Sequence, residues 1–368
     1  MKIYVAATRQ NDGKTITSLG LLNVLKEKFR NIGYIKPVGQ HVDLIGRHNI
    51  DKDVSLMNQV FHISHRLIDM SPIAVPPGFT EDYILKGDRH VLRNRIVRSF
   101  VRASRHKDFM VIEGTGHAGV GSVIDLSNAD VAQLLNAPVV IVSGGGVGRP
   151  IDEIILNKSL FDARGVKVIG AIVNKVLPEK YEKISKFVRL GLRRKGIDVL
   201  GVIPYYPQLS NPTFKQIVED LKGELICKTK YLNQTINRVV VAAMPPHTAI
   251  DYFTDDALLI TPGNREDILL AAISCSVLSK SQHLGVKGII LTGGIWPNIN
   301  ILKLIERAKI PIMLVPDDTY ATAQKINNLI IKIKPEEREK ITSIKRMIKK
   351  YVDIDLLIRK VKDAVSAK

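Results

Sequence analysis

A glycine, a lysine and a threonine stand together near the start of the chain, where their types and spacing could bind phosphate. Gly13, Lys14 and Thr15 follow a short apolar segment, residues 3–7, and precede an amphipathic helical pattern. In such a turn, backbone N–H groups and the N-terminus of the following helix face an anion. Lys14 would reach the terminal phosphates of a nucleotide, and the Thr15 hydroxyl would contact Mg²⁺. The spacing therefore predicts a phosphate-binding loop.

The loop departs from the usual pattern in its first half. The standard spacing G-x-x-x-x-G-K-[ST] places glycine where this chain has Thr8, and a form one residue longer places it at Ala7. A Gly-Lys-Thr tripeptide also occurs as a solvated lysine at a helix start, but the strand-to-helix context favours the phosphate loop. Asp12 could contact metal or substrate, or it could shape the turn.

Other polar residues end further strand patterns. Lys36 follows the second apolar segment, Glu113 ends the run 109–113, and Asn174 ends a later run. Continuous apolar runs indicate strands buried on both faces. Ligands bind at the carboxyl ends of parallel strands, so these three residues should lie with Lys14 on one edge of a sheet.

Strand and helix patterns alternate along the chain, which predicts an α/β fold with a parallel sheet. The first set of strands is predicted at 2–7, 33–37, 109–113, 139–143, 166–174 and 199–204, with helices at 15–29, 91–104, 151–161 and 181–195. Prolines and polar residues at 205–213 indicate the exit from the first domain. The second set has strands at 238–243, 257–261, 287–292 and 312–315, with helices at 267–280, 299–308 and 319–332.

Three segments follow from this organisation. We expect a nucleotide-binding domain at 1–212, a smaller α/β domain at 213–334 and an amphipathic helical tail at 335–368.

The combined motifs of the first segment resemble those of dethiobiotin synthetase and its relatives, including the synthetase domain of cobyrinic acid a,c-diamide synthase. In particular, residues 1–212 are similar to the dethiobiotin synthetase-like N-terminal domain of long phosphotransacetylases, whose loop also reads Ala-x-Thr before Gly-Lys-Thr. This resemblance implies a P-loop NTPase-type sheet that binds ATP and Mg²⁺.

The resemblance also implies roles for individual residues. Asp53 and Glu113 would hold Mg²⁺ together with the Thr15 hydroxyl, which suits a cation that takes few carboxylates and several other oxygens. Lys36 would stand near the transferring phosphate, which makes it a catalytic candidate with Lys14. The Asn174 amide would read the adenine edge. Asp53 could instead be a surface acid in a charged run, and Asn174 a turn-forming residue.

The second segment resembles the DRTGG domain, a small α/β module that follows the synthetase-like domain in long phosphotransacetylases. The likeness lies in 259–267, which reads Leu-Ile-Thr-Pro-Gly-Asn-Arg-Glu-Asp, and in 291–294, which reads Leu-Thr-Gly-Gly. Asn264 stands where an aspartate is commoner. Glycines at these strand ends, beside Arg265, predict a site for a small polar ligand or a subunit contact. Asn264 and Asp318 could equally be helix caps alone.

Composition limits the class of protein. The 368 residues carry a net charge of +18 and only two cysteines, Cys227 and Cys275. No apolar run reaches the roughly 18 residues that span a bilayer, and the cysteine count indicates a reducing compartment. A cytoplasmic protein without membrane contact is expected.

The basic charge raises the question of nucleic acid. Arginines concentrate at 89–105 and 189–194, but aromatic residues make up only 5% and none interleave with them as a base-stacking platform would require. A solvated basic surface is favoured over nucleic-acid binding.

Three functions remain open from the sequence. The pairing of domains favours a nucleotide-responsive regulatory protein, a homo-oligomer whose second domain senses an unknown small molecule. The first alternative is an ATP-dependent synthetase that activates a carboxylate by phosphoryl transfer. The second is a nucleic-acid-binding protein.

Overall fold

The computed structural model describes residues 1–63, 65–227, 230–278, 285–308, 310–329 and 333–366. The chain divides into two compact units, Met1–Tyr205 with Ile333–Lys368, and Tyr206–Lys332. Both units are α/β, which confirms the predicted fold class. Within the described ranges, no helix combines the length and apolar character needed to cross a membrane.

A six-stranded parallel sheet forms the centre of the first unit. The strands of this unit are β1 (Lys2–Ala7), β2 (Ile32–Ile35), β3 (Val38–Gly39), β4 (Val42–Ile45), β5 (His48–Asp51), β6 (Ile73–Ala74), β7 (Phe109–Glu113), β8 (Val139–Ser143), β9 (Val168–Val176) and β10 (Val199–Pro204). The central order is β10-β9-β8-β1-β7-β2. All five pairings are parallel, so every strand ends at the same edge. The remaining four strands form two small two-stranded sheets.

Helices surround this sheet. They are α1 (Lys14–Leu25), α2 (Lys52–Phe61), α3 (Leu67–Met70), α4 (Phe79–Lys86), α5 (Arg89–Ser104), α6 (Asn128–Leu134), α7 (Gly148–Ala163) and α8 (Tyr181–Arg194). Residues of α5 to α8 form one hydrophobic core with the central strands. Helix α1 begins directly at the predicted phosphate loop, and its leucines are fully buried.

Between β2 and β7 along the chain, the hairpin of β4 and β5 leads into α2. This segment was not predicted as regular structure. It carries Asp51 at the end of β5 and Asp53 in the first turn of α2. The hairpin thus delivers two carboxylates to the edge where the central strands end.

The second unit contains a smaller sheet. Its helices and strands are α9 (Pro207–Ser210), α10 (Phe214–Leu221), β11 (Glu224–Cys227), β12 (Arg238–Val241), α11 (Pro246–Ala249), β13 (Ala257–Pro262), α12 (Glu266–Leu278), β14 (Gly288–Thr292), α13 (Ile299–Ala308), β15 (Ile312–Leu314) and α14 (Thr319–Asn327). The order is β11-β15-β14-β13-β12, and only β11 is antiparallel to its neighbour. The predicted helix ends at 280 and 332 lie outside the described residues.

The C-terminal segment returns to the first unit as α15 (Arg338–Tyr351) and α16 (Ile354–Ser366). Helix α15 lies along α1 at Gly20, where a side chain would meet Ile348. Val352 then forms an antiparallel bridge with Gly201 of the edge strand β10. The helical tail predicted from the sequence is therefore packed on the first unit, and its predicted end at 368 lies outside the described residues.

Candidate nucleotide and magnesium site

The loop between β1 and α1 closes on a glycine in a left-handed conformation. Gly13 has a φ of 95°, and a Cβ atom there would lie 2.3 Å from Nδ2 of Asn174. That Nδ2 atom donates a hydrogen bond to the backbone carbonyl of Asp12, at 2.9 Å. Position 13 therefore requires glycine both for conformation and for space.

Asp12 accepts hydrogen bonds from within its own loop. The Thr8 hydroxyl donates to Asp12 Oδ2 at 2.7 Å, and the backbone N–H of Arg9 donates to the same oxygen at 2.8 Å. Burial, with a smaller contribution from the Glu153 carboxylate, raises the pKa of Asp12, although the Thr8 hydrogen bond opposes it. Of the two roles open from the sequence, these contacts are those of a residue that shapes the turn.

Lys14 is a buried lysine at the first position of α1. It is 9% exposed, and its side chain forms no ion pair or hydrogen bond with the described residues. Burial lowers the pKa of Lys14, and the Glu113 carboxylate only partly opposes this. A positive charge on a largely buried side chain at the positive end of a helix is unfavourable unless an anion joins it. The contact of Lys14 with phosphate remains a prediction.

Three oxygen-bearing side chains meet beside Lys14. The Thr15 hydroxyl lies 2.7 Å from Glu113 Oε1 and 3.3 Å from Asp53 Oδ2. Glu113 is 1% exposed and Asp53 is 6% exposed, so Asp53 is not a surface acid. Burial and then the Asp53 carboxylate raise the pKa of Glu113. The predicted metal-ligand residues are thus together at one point.

These three side chains suit Mg²⁺ but would not complete its coordination. Throughout the described part of the chain, no group of three or more His, Cys, Asp or Glu side chains is arranged around a metal position. Mg²⁺ in nucleotide sites typically takes one or two carboxylates and completes its shell with phosphate and water oxygens. Two carboxylates and one hydroxyl match that donor set.

Lys36 forms a buried cluster with two carboxylates. Its Nζ atom lies 2.9 Å from Asp51 Oδ1 and makes a short contact with Asp53 Oδ2. Burial alone would lower the pKa of Lys36, but the Asp53 and Asp51 carboxylates outweigh it and the pKa is raised. Lys36 is therefore a charged group beside the residues predicted to bind metal.

Two residues of this site were missed by the sequence analysis. The Tyr34 hydroxyl donates to Glu113 Oε2 at 2.9 Å, and Asp51 accepts from Lys36. Burial, and then the charge of Glu113, raise the pKa of Tyr34, so Tyr34 remains a donor. Tyr34 precedes Lys36 by two residues, so the strand predicted at 33–37 would place both side chains on one face, a periodicity that could have indicated Tyr34.

Asn174 lies at the edge where the sequence placed it, but its amide contacts protein. Besides the bond to the Asp12 carbonyl, its Oδ1 atom accepts from the backbone N–H of Lys175, at 2.9 Å. Lys175 in turn donates through Nζ to the Asn11 carbonyl at 2.8 Å. Asn174 thus supports the phosphate loop, and its predicted contact with adenine remains a prediction.

The strand ends of the second unit are more crowded than their glycines suggested. A Cβ atom at Gly263 would lie 1.6 Å from the Ile295 carbonyl, so the loop after β14 fills that space. Arg265 is held by Asp267 at 2.8 Å and by the Met244 carbonyl at 3.0 Å. The side chain of Asp318 caps α14, which is one of the two roles that the sequence left open for it. A ligand at this edge remains a prediction.

Comparison with known proteins places these units in recognised families. Residues 1–213 match the AAA_26 family, described as an AAA domain, and residues 216–329 match the DRTGG domain. Phosphate acetyltransferase of Nitratidesulfovibrio vulgaris is 26% identical over 95% of this chain and 50% of its own length. That of Pseudomonas putida is 27% identical over 95% and 50%. The chain spans about half the length of the curated relatives it matches.

Solved structures show more distant similarity. The MinC:MinD cell division protein complex of Aquifex aeolicus aligns with 56% of this chain and 83% of its own, at 12% identity and a TM-score of 0.35. The family assignment rests on the sequence match, which covers more than half of the chain. The resemblance to the N-terminal region of long phosphotransacetylases is confirmed: the chain belongs to the AAA_26 family and carries a DRTGG domain after its AAA domain.

Proposed function

We propose that the first unit binds ATP with Mg²⁺ and that the chain is a nucleotide-responsive regulatory protein. The observation that carries the first part is the largely buried side chain of Lys14, which has no ion-pair or hydrogen-bond partner among the described residues, beside the oxygens of Thr15, Asp53 and Glu113. An ATP phosphate would supply the anion that Lys14 lacks. Mg²⁺ would be held by the three oxygens and would neutralise phosphate charge.

The regulatory part of the proposal rests on domain pairing. The DRTGG match follows the AAA_26 match directly, and the curated relatives share both regions within longer chains. The second unit would sense a small molecule or support assembly into a homo-oligomer. Light scattering with and without Mg²⁺-ATP tests the assembly.

A second candidate function is a synthetase that activates a carboxylate. It is favoured by Lys36, a buried lysine beside the metal-ligand residues that nucleotide binding alone does not require. Lys36 and Lys14 would stabilise negative charge on a transferring phosphoryl group. Phosphate release that depends on an added small carboxylate would favour this function. Slow release from ATP alone, with no dependence on carboxylates, would favour the regulatory protein.

The binding proposal is tested by Lys14→Ala. We expect Mg²⁺-ATP affinity, measured by calorimetry, to fall about thirtyfold or more, because truncating one partner of a buried charged pair costs roughly 2–5 kcal/mol. Because Lys14 is buried without a partner in the free protein, the free energy of unfolding without ATP should stay the same or rise.

The control for this test is Lys167→Ala. Lys167 is an exposed lysine next to β9, at the opposite edge of the same sheet. This variant should bind Mg²⁺-ATP as the wild type does. If Lys14→Ala binds equally well, the loop is not a nucleotide site.

A further inference from the structure

Asp51 is a buried carboxylate with a fixed orientation. It is 0% exposed, and its backbone N–H donates to the Ser71 hydroxyl at 3.0 Å. Its Oδ1 atom accepts from the Asp53 backbone N–H at 2.9 Å, as the N-cap of α2, and from Lys36 Nζ at 2.9 Å. Asp51 therefore joins the backbone that carries Asp53 to the side chain of Lys36.

Capping does not explain why this residue is charged. Asparagine or serine would cap a helix equally well. The second oxygen, Oδ2, is buried and has no hydrogen-bond donor among the described residues, which costs free energy for an anionic atom. A Cβ atom at Gly39 would lie 2.5 Å from that oxygen, so the chain leaves space for a carboxylate here.

Once a metal is bound, Lys36 and the metal compete for the carboxylate of Asp53. Its Oδ2 atom contacts both Lys36 Nζ and, at 3.3 Å, the Thr15 hydroxyl. A metal held by Thr15 and Asp53 would take this oxygen and would repel the nearby ammonium group. Lys36 would then lose one of its two anions, and the contact with Asp51 would remain.

We propose that Asp51 is a positioning residue, which holds the Lys36 ammonium group in place when Asp53 binds Mg²⁺. The inference rests on the proposed function, since it requires Mg²⁺-nucleotide binding. With Asp51, Lys36 stays at the strand edge, beside the bound phosphates. Without the Asp51 charge, Lys36 depends on Asp53 alone and competes with the metal for it.

The test is a double-mutant cycle with Asp51→Asn, Lys36→Met and the double variant, measured by calorimetry with ATP. In Mg²⁺, Asp51→Asn should weaken binding about tenfold in the Lys36 background and less than about twofold in the Lys36→Met background. In EDTA, Asp51→Asn should leave ATP affinity unchanged or tighter, because it removes a negative charge from the site. Asn retains the helix cap, and Asp51→Ser provides a second capping variant.

The matched control is Asp43→Asn. Asp43 lies on the same hairpin, is exposed, and pairs with Lys52 at 3.3 Å. This variant should bind ATP as the wild type does in both conditions.

The outcomes separate this inference from the proposed function. Equal weakening by Asp51→Asn in both Lys36 backgrounds, or equally with and without metal, would mean that Asp51 only supports the fold. If the wild type binds Mg²⁺-ATP and Asp51→Asn behaves as Asp43→Asn does, only the role of Asp51 falls. If the wild type fails to bind Mg²⁺-ATP, the proposed function falls and the positioning role falls with it.

Discussion

Replacing Lys36 by methionine should show how much the buried cluster of Lys36, Asp51 and Asp53 contributes to the free energy of unfolding. The Lys36 side chain is 6% exposed, and the side chains of its partners Asp51 and Asp53 are 0% and 9% exposed. Methionine retains an unbranched apolar side chain but removes the charge. The two carboxylates would then be buried without their shared cation. Breaking a buried ion pair in this way costs about 3–5 kcal/mol, and we expect that loss in the free energy of unfolding of the first unit.

The chain allows this loss to be assigned to one unit. Trp296 is the only tryptophan and lies in the second unit. In urea, tryptophan fluorescence therefore follows the second unit, while far-ultraviolet circular dichroism follows both. Lys36→Met should move the circular dichroism transition that belongs to the first unit and leave the fluorescence transition in place. Mg²⁺ should restore part of the loss, since a bound divalent cation stabilises the folded state and offsets both carboxylates.

Lys52→Met provides the matched control. Lys52 pairs with Asp43 at 3.3 Å, and both side chains are about half exposed, at 47% and 55%. An exposed pair of this kind contributes about 0–1 kcal/mol. If Lys36→Met costs no more than Lys52→Met, the buried cluster does not stabilise the fold and the reasoning about Lys36 is wrong.

Two further predictions concern the same unit. Burial and the Asp53 charge raise the pKa of Glu113 above 4.5, so the folded state binds this proton more tightly than the unfolded chain does. The free energy of unfolding should therefore fall as pH rises from 4.5 through the raised pKa of Glu113. Over that interval, the Glu113→Gln variant should become more stable relative to the wild type, as measured by urea unfolding at each pH. A constant difference in the free energy of unfolding between variant and wild type would contradict this. Gly20→Ala places a Cβ atom 2.2 Å from Ile348 Cγ1 and should lower the free energy of unfolding by about 1–3 kcal/mol. Adding Ile348→Val should restore part of this loss. An unchanged midpoint of urea unfolding would show that α15 is not packed against α1 at Gly20.

The sequence predicted those parts of the fold that depend on continuous apolar runs. The strands at 2–7, 109–113, 139–143 and 199–204 begin and end where the structure has them. The sequence predicted no helices or strands within 38–86. One reason is that β4 is mostly exposed and has no apolar run. The structure of this segment depends on a short hairpin and on contacts with distant residues. The packing of α15 on α1 also joins residues that no local pattern relates.

Some residues of the candidate site could also be predicted from local sequence patterns, and others could not. Lys14 and Glu113 could be placed because the ends of parallel strands meet at one edge. Asp51 could not, because Asp51, Lys52 and Asp53 read as a solvated charged run. Burial separates them: both aspartates are inside, and Lys52 is exposed. The family resemblance indicated Asp53 from the sequence, but only the tertiary structure shows that Asp51 also faces the site.

The phosphate loop lacks its first glycine because polar contacts fix its path. The Thr8 hydroxyl, at the position where glycine is usual, lies 3.0 Å from the Ser143 hydroxyl at the end of β8 as well as bonding to Asp12. On the other side, Asn174 at β9 holds the Asp12 carbonyl. A threonine that bonds to both its own loop and a neighbouring strand orients the turn, which a glycine could not do. Two residues of the loop have a left-handed conformation, Asn11 with a φ of 69° and Gly13 with a φ of 95°. Asparagine adopts this conformation more readily than most other residues, and Gly13 also needs the space, so one glycine is sufficient for this loop to turn into α1.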